Sequence, residues 1–247
     1  MRSDLFSADN LEKESAQPGL RLQNSKLLKA ELNGEFMARV GSMVAYQGQV
    51  QFEALGSGGI GKFIKQKITG EGVPLMRVRG QGDVFLADRA SDIHIIDMEQ
   101  GDALSINGAN VLAFDSTLKY DIKMVGGAGM MSNAGLFNCV FSGQGRIAVT
   151  TKGSPVVLSV DQPTYVDPQA AICWSANLQT GFHRAEQLGL GTLLGRTTGE
   201  RYTMSFAGQG FVVVQPSEEP PGGFLAGTGG GQQSGQGGGL LGNLLGN

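Results

Sequence analysis

Apolar and polar residues alternate in short runs along most of the chain, and glycine punctuates the runs. LMRVR, FNCVF and YTMSF each lead into Gly-Gln-Gly, which begins at residues 80, 143 and 208, a period of roughly 64 residues. Each tripeptide is followed by a run rich in branched or aromatic residues, DVFLA, RIAVT or FVVVQ. Period-two alternation on one side and branched residues on the other predict two strands meeting at a glycine bend. The glycines of these bends are Gly80, Gly82, Gly143, Gly145, Gly208 and Gly210.

A second signature precedes each bend. Met43-Val-Ala-Tyr46, Val111-Leu-Ala-Phe114 and Ala171-Ile-Cys-Trp174 share two apolar residues, a small residue and an aromatic. Farther upstream lie strand candidates at 27–32, 93–98 and 156–160, each followed by turn residues such as Asn33-Gly34 or Asp161-Gln-Pro163. Two signatures in one order, three times, predict an all-β body of three repeated units, with Tyr46, Phe114 and Trp174 at equivalent buried positions. The units span about 21–90, 91–153 and 154–216. The repeated unit reads as a β-sandwich or barrel element.

The segments joining the aromatic strand to the bend differ. In the first, Ile60, Phe63, Ile64 and Ile68 fall on one face of a short predicted helix, with Lys62, Lys65 and Lys67 around the rest. Such a face either caps the β-core or meets an anionic membrane surface, so Lys62, Phe63, Lys65 and Lys67 are candidate interaction residues. The first 20 residues are expected to be a flexible terminus, and 21–219 the folded body. Residues 220–247 carry no charge and form a Gly/Gln-rich tail, predicted to be disordered. Its tip places Leu240, Leu241, Leu244 and Leu245 on one side of any helix it forms, a candidate docking element for a protein partner.

Composition narrows the function classes. There are 40 glycines in 247 residues, well above the usual share of about 7%. A net charge of −3 and a pI near 5.4 argue against a nucleic-acid partner. Two cysteines, Cys139 and Cys173, cannot build a disulfide framework, and read as reduced core residues. With two histidines in the chain, His94 and His183, most metal and acid–base schemes lack parts. Asp92 and His94 share a strand face, as an acid–base pair, as two ligands or, the commoner case, as a solvated pair. Arg77 and Arg79 likewise share a face that suits either a phosphate or plain solvation. The glycine bends lack the third glycine and following helix of a dinucleotide fingerprint. No catalytic residue, cofactor site or metal site is assigned, and the reading is a non-enzymatic protein. With neither an apolar signal segment nor a membrane span, the expected location is the cytoplasm.

Gly59–Gly72 (GIGKFIKQKITGEG), Gly80-Gln-Gly, Gly135-Leu-Phe-Asn before Gly143-Gln-Gly, and Tyr165-Val-Asp-Pro168 leading into Ala171-Ile-Cys-Trp174 carry a family resemblance. In that order they resemble the altered-inheritance-of-mitochondria 24-like family, also called domain of unknown function 124, over about residues 20–215. The family often has Gly-Pro-Gly at the bends, where this chain has Gln. The resemblance implies a double-stranded β-helix variant similar to the tryptophan RNA-binding attenuation protein. It carries over no catalytic residues, and it links mitochondrial members to inner-membrane organisation. The combined expectation is a self-associating scaffold at or near a membrane, as a homo-oligomer with a trimer favoured. The alternative is a small-ligand- or RNA-binding module of that fold.

Overall fold

A computed structural model describes residues 3–13, 18–55, 73–124, 137–183 and 203–217. Sixteen strands and three short 3-10 turns account for nearly all regular structure among them, so the described body is all-β. The predicted helix over 60–68 with Lys62, Phe63, Lys65 and Lys67, and the tail with Leu240, Leu241, Leu244 and Leu245, lie outside the described residues.

The first segment is built from three long antiparallel strands. β2 (Leu27–Arg39) and β3 (Met43–Ala54) flank β4 (Leu75–Leu86), the strand that carries Gly80-Gln-Gly82. β1 (Gly19–Asn24) pairs with the first half of β2, a strand that hydropathy alone did not single out.

Here the expected break at the glycines does not occur. β4 passes through them unbroken, and β2 runs through Asn33-Gly34 in the same way. Gly34 pairs with Gly80 and Gly48 with Gly82, so each ladder meets a glycine pair, two residues apart along β4, and continues without a break. At Gly82 the backbone has φ +140°, and an added Cβ would fall on the carbonyl oxygen of Gln47. Only glycine allows both that conformation and that approach.

In the second segment the three strands are cut at the same level. β5 (Asp92–Met98) and β6 (Ala103–Asn107) form one flank, β7 (Val111–Asp115) and β8 (Lys119–Met124) the other. Between them run β9 (Phe137–Ser142) and β10 (Gly145–Thr151), joined through Gly143-Gln144. The third segment does likewise. Its flanks are β11 (Val156–Val160) with β12 (Thr164–Val166), and β13 (Ala171–Ser175) with β14 (Gln179–His183). The middle is β15 (Thr203–Ala207) and β16 (Gly210–Val214).

Cutting the strands lets their halves join different sheets. The first sheet runs β3-β4-β2-β7-β10-β5, with β1 beside β2; the second runs β11-β16-β13-β6-β9-β8; the third is β12-β15-β14. The segments are therefore sewn together by β2–β7 and β6–β13. The core follows the sheets. One cluster joins Leu28, Phe36 and Val78 to Leu112 and Ala148, and a second joins Phe114, Phe141 and Ile147 to Ile172 and Cys173. A third, around Trp174, Met204 and Phe206, belongs to the third segment alone.

Residues 3–13 are not wholly loose. Gln23 Nε2 donates to the Leu11 carbonyl at 2.8 Å, and the Lys13 amide donates to Gln23 Oε1 at 3.0 Å. Within the terminus expected to be flexible over 1–20, the backbone of residues 11–13 thus bonds to polar side chains from β1 and β2. Leu20, inside the same range, is buried in the core.

Candidate functional site

Phe114 and Trp174 are buried, as expected of the aromatic signature, each with an edge-on partner, Phe141 at 4.9 Å and Phe206 at 5.5 Å. Tyr46 is not. It is 49% exposed and touches Phe52 at 5.4 Å. The reason lies in the sheet. β3 ends the first sheet, whereas β7 and β13 each have a strand of the preceding segment on their outer side. Nearly all of β3 is exposed, including Met43, Val44 and Phe52.

The two occupied junctions share a device. Arg39, at the end of β2, donates through Nε to the Val111 carbonyl at 2.8 Å, reaches the Ala109 carbonyl, and pairs with Asp88 at 2.8 Å. Burial pulls the guanidinium's pKa down, and Asp88 beside it pulls the other way. Asn107, at the end of β6, donates to the Ala171 carbonyl at 3.2 Å and to that of Pro168 at 3.3 Å. Both residues follow directly on the stretch paired with the next segment, and both satisfy the carbonyl that opens the next aromatic strand. Neither stood out in the sequence, because a buried Arg or Asn has no periodic signature.

The other chemically suggestive residues are occupied. Lys29 is buried at a cleft lined by Glu12, Glu31, Asp83 and Gln47. Its Nζ lies 2.6 Å from Glu12, 3.3 Å from Asp83 and 3.4 Å from Glu31, and donates to the Lys13 carbonyl at 3.1 Å. Burial opposes its charge, but bonds to Glu12 and Asp83 outweigh this and raise the pKa. The cluster holds residues 12–13 against the sheet. Asp92 pairs with Lys26 at 2.7 Å, which holds its carboxyl below the ordinary range, and His94 Nε2 sits 3.1 Å from Thr151 Oγ1. Among the described residues no group of three His, Cys, Asp or Glu side chains is placed to hold a metal ion. His183 ends β14.

Arg77 and Arg79 face Glu35 and Glu53 from the neighbouring strands at 3.6–3.7 Å. They are a solvated, self-neutralised row. Cys139 and Cys173 are buried, and burial pushes both thiols up to about 12. Both pair with Ile106, from opposite sides, so they stand two strand spacings apart, about 9.5 Å, beyond disulfide reach. Among the strands that end a sheet, β3 is the longest, and it exposes Met43, Val44, Tyr46 and Phe52.

The family described as mitochondrial biogenesis AIM24 matches the sequence over residues 20–217. Among curated proteins, no sequence matches this chain. Of solved structures, the crystal structure of a Streptococcus pyogenes protein from a structural genomics programme is similar in fold. Its TM-score is 0.61 at 20% identity, covering 81% of this chain and 92% of that one.

Proposed function

The chain belongs to the mitochondrial biogenesis AIM24 family, and from that premise we propose that it is a self-associating, non-enzymatic scaffold that holds protein partners. The observation that carries this reading is β3, a twelve-residue strand at the end of a sheet, exposed along nearly its whole length and bearing Met43, Val44, Tyr46 and Phe52. An exposed strand edge with apolar side chains is a template for another chain. The groups best suited to chemistry are otherwise engaged: Lys29 in ion pairs, and both cysteines protonated in the core.

The test is affinity purification of the full chain and of a chain ending at Glu219, with light scattering on each. The reading expects an assembled species from both, and co-purifying proteins that depend on Leu240, Leu241, Leu244 and Leu245. Flotation with anionic vesicles, with and without K62E, K65E and K67E, reports peripheral membrane contact. A species that stays at 25.9 kDa at every concentration, together with no partner above background, overturns the scaffold reading. Recovery of bound RNA or a small molecule would move the protein to the binding-module class.

A further inference from the structure

Lys29 lies on the outer face of the first sheet, because alternation along β2 sends its neighbours Leu28 and Ala30 into the core. A lysine in such a place is ordinarily solvated, yet this side chain is 3% exposed. Glu31 and Asp83 stand beside the ammonium, and residues 12–13 close over it. The shortest contacts of its nitrogen, to the Glu12 carboxylate at 2.6 Å and the Lys13 carbonyl at 3.1 Å, both come from that N-terminal segment.

Gln23 completes the arrangement. It is the residue that the β1–β2 ladder skips between Leu22 and Asn24, and it is buried. An irregularity of this kind re-aims a side chain. Here the side-chain amide donates to the Leu11 carbonyl and accepts from the Lys13 amide, the main-chain groups that flank residue 12. Four bonds thus hold three residues. Three of the four go to main chain and are blind to sequence, while one asks for a carboxylate at the middle residue. Main-chain bonds with a side-chain contact between them are how an extended peptide is recognised, and the peptide in place is the chain's own. It is lightly held. Every residue from 3 to 13 is exposed, so no buried apolar anchor fastens the segment. Beside it an open cleft of about 560 Å³, lined by Pro18, Leu32, Gln47 and Gly82, has room for more chain.

We infer that Gln23 and Lys29 form a binding site for an extended acidic peptide of a partner protein, with a glutamate set against Lys29. Leu11-Glu12-Lys13 occupies that site as a tethered stand-in. This goes beyond the scaffold reading and needs a single chain only, so it stands or falls separately from self-association. The charges suit the ligand. Arg21 offsets Glu31 at 3.1 Å and Lys29 offsets Asp83 at 3.3 Å, so these four groups present no net negative charge to an incoming carboxylate. The tether gives the resident segment an effective concentration of about millimolar, so a free peptide competes poorly while Glu12 is in place. A partner segment prevails by making the same four bonds and adding contacts along the cleft.

The experiment is fluorescence polarisation with a labelled, end-blocked peptide of residues 8–13, ADNLEK, and full-length protein. The proteins are wild type, E12K, E12K/Q23A and E12K/K29M. E12K turns the resident segment away from Lys29 and, at an exposed position, should melt as wild type does. It should bind the peptide about tenfold more tightly than wild type, and both double variants should lose that gain. A peptide carrying Glu12→Lys should not bind E12K protein, and this arm reports recognition even if K29M unfolds, because the protein is untouched. N-acetylglutamate amide, which offers the carboxylate without the flanking main chain, should not displace the peptide at equal concentration. Equal peptide affinity for wild type and E12K overturns the inference, as does binding that survives Q23A or K29M. Full displacement by the single residue also overturns it, since the main chain would then go unread.

Discussion

Arg39 closes the first junction by donating from Nε to the carbonyl of Val111, across 72 residues of sequence, at 2.8 Å. That carbonyl opens β7, so one side chain fixes where the second segment begins to pair with the first. Replacing Arg39 by Ala removes the donor to two carbonyls and strands Asp88. We expect a loss of about 2–4 kcal/mol, read as a lower melting temperature or urea midpoint. N107A should cost about 1–2 kcal/mol at the second junction, because its bonds are neutral and longer.

The glycine row separates two kinds of glycine. Gly82→Ala meets both a positive φ and the Gln47 carbonyl, and should lose about 3 kcal/mol or more by chemical denaturation. Gly34→Ala has a similar φ of +129° but nothing within 4 Å, so about 1 kcal/mol of backbone strain is expected. Equal losses at the two sites would show that steric approach is not what requires glycine at position 82.

Lys29 gives the N-terminal segment a pH dependence. Its folded pKa is raised above the ordinary 10.5, so its stabilisation is complete below that value and is lost as pH rises through the folded pKa. Residues 11–13 should resist protease at neutral pH and become cleavable in strong alkali before the body unfolds. K29M should expose them at neutral pH, because Glu12 and the Lys13 carbonyl lose their shared partner.

The thiols should be silent until the protein unfolds. With both pKa values near 12 and both side chains in the core, a thiol reagent at mildly alkaline pH should label neither Cys139 nor Cys173 in the native protein. Both should react in denaturant. Prompt labelling of either in native buffer would mean that β6, β9 and β13 open locally.

Strand positions, the glycine bends and the aromatic signature were legible along the chain because they depend on nearest neighbours: alternation sets the faces of a strand, and glycine marks where it must bend. The same local signal could not say that β4 stays whole while its counterparts break. That depends on Gly34 and Gly48 standing beside Gly80 and Gly82, a match between strands distant in sequence. Nor could it separate Tyr46 from Phe114, since their local patterns are alike and burial is conferred by a strand of another segment. Arg39, Asn107 and Lys29 were invisible for the related reason that a buried polar side chain is defined by its partners. What the sequence by itself determined was the all-β class and the course of many of its strands, since alternation is a nearest-neighbour property. Only the tertiary structure decided which edges are filled and which stand open, because strand pairing is a non-local contact whose partner is not written in the strand.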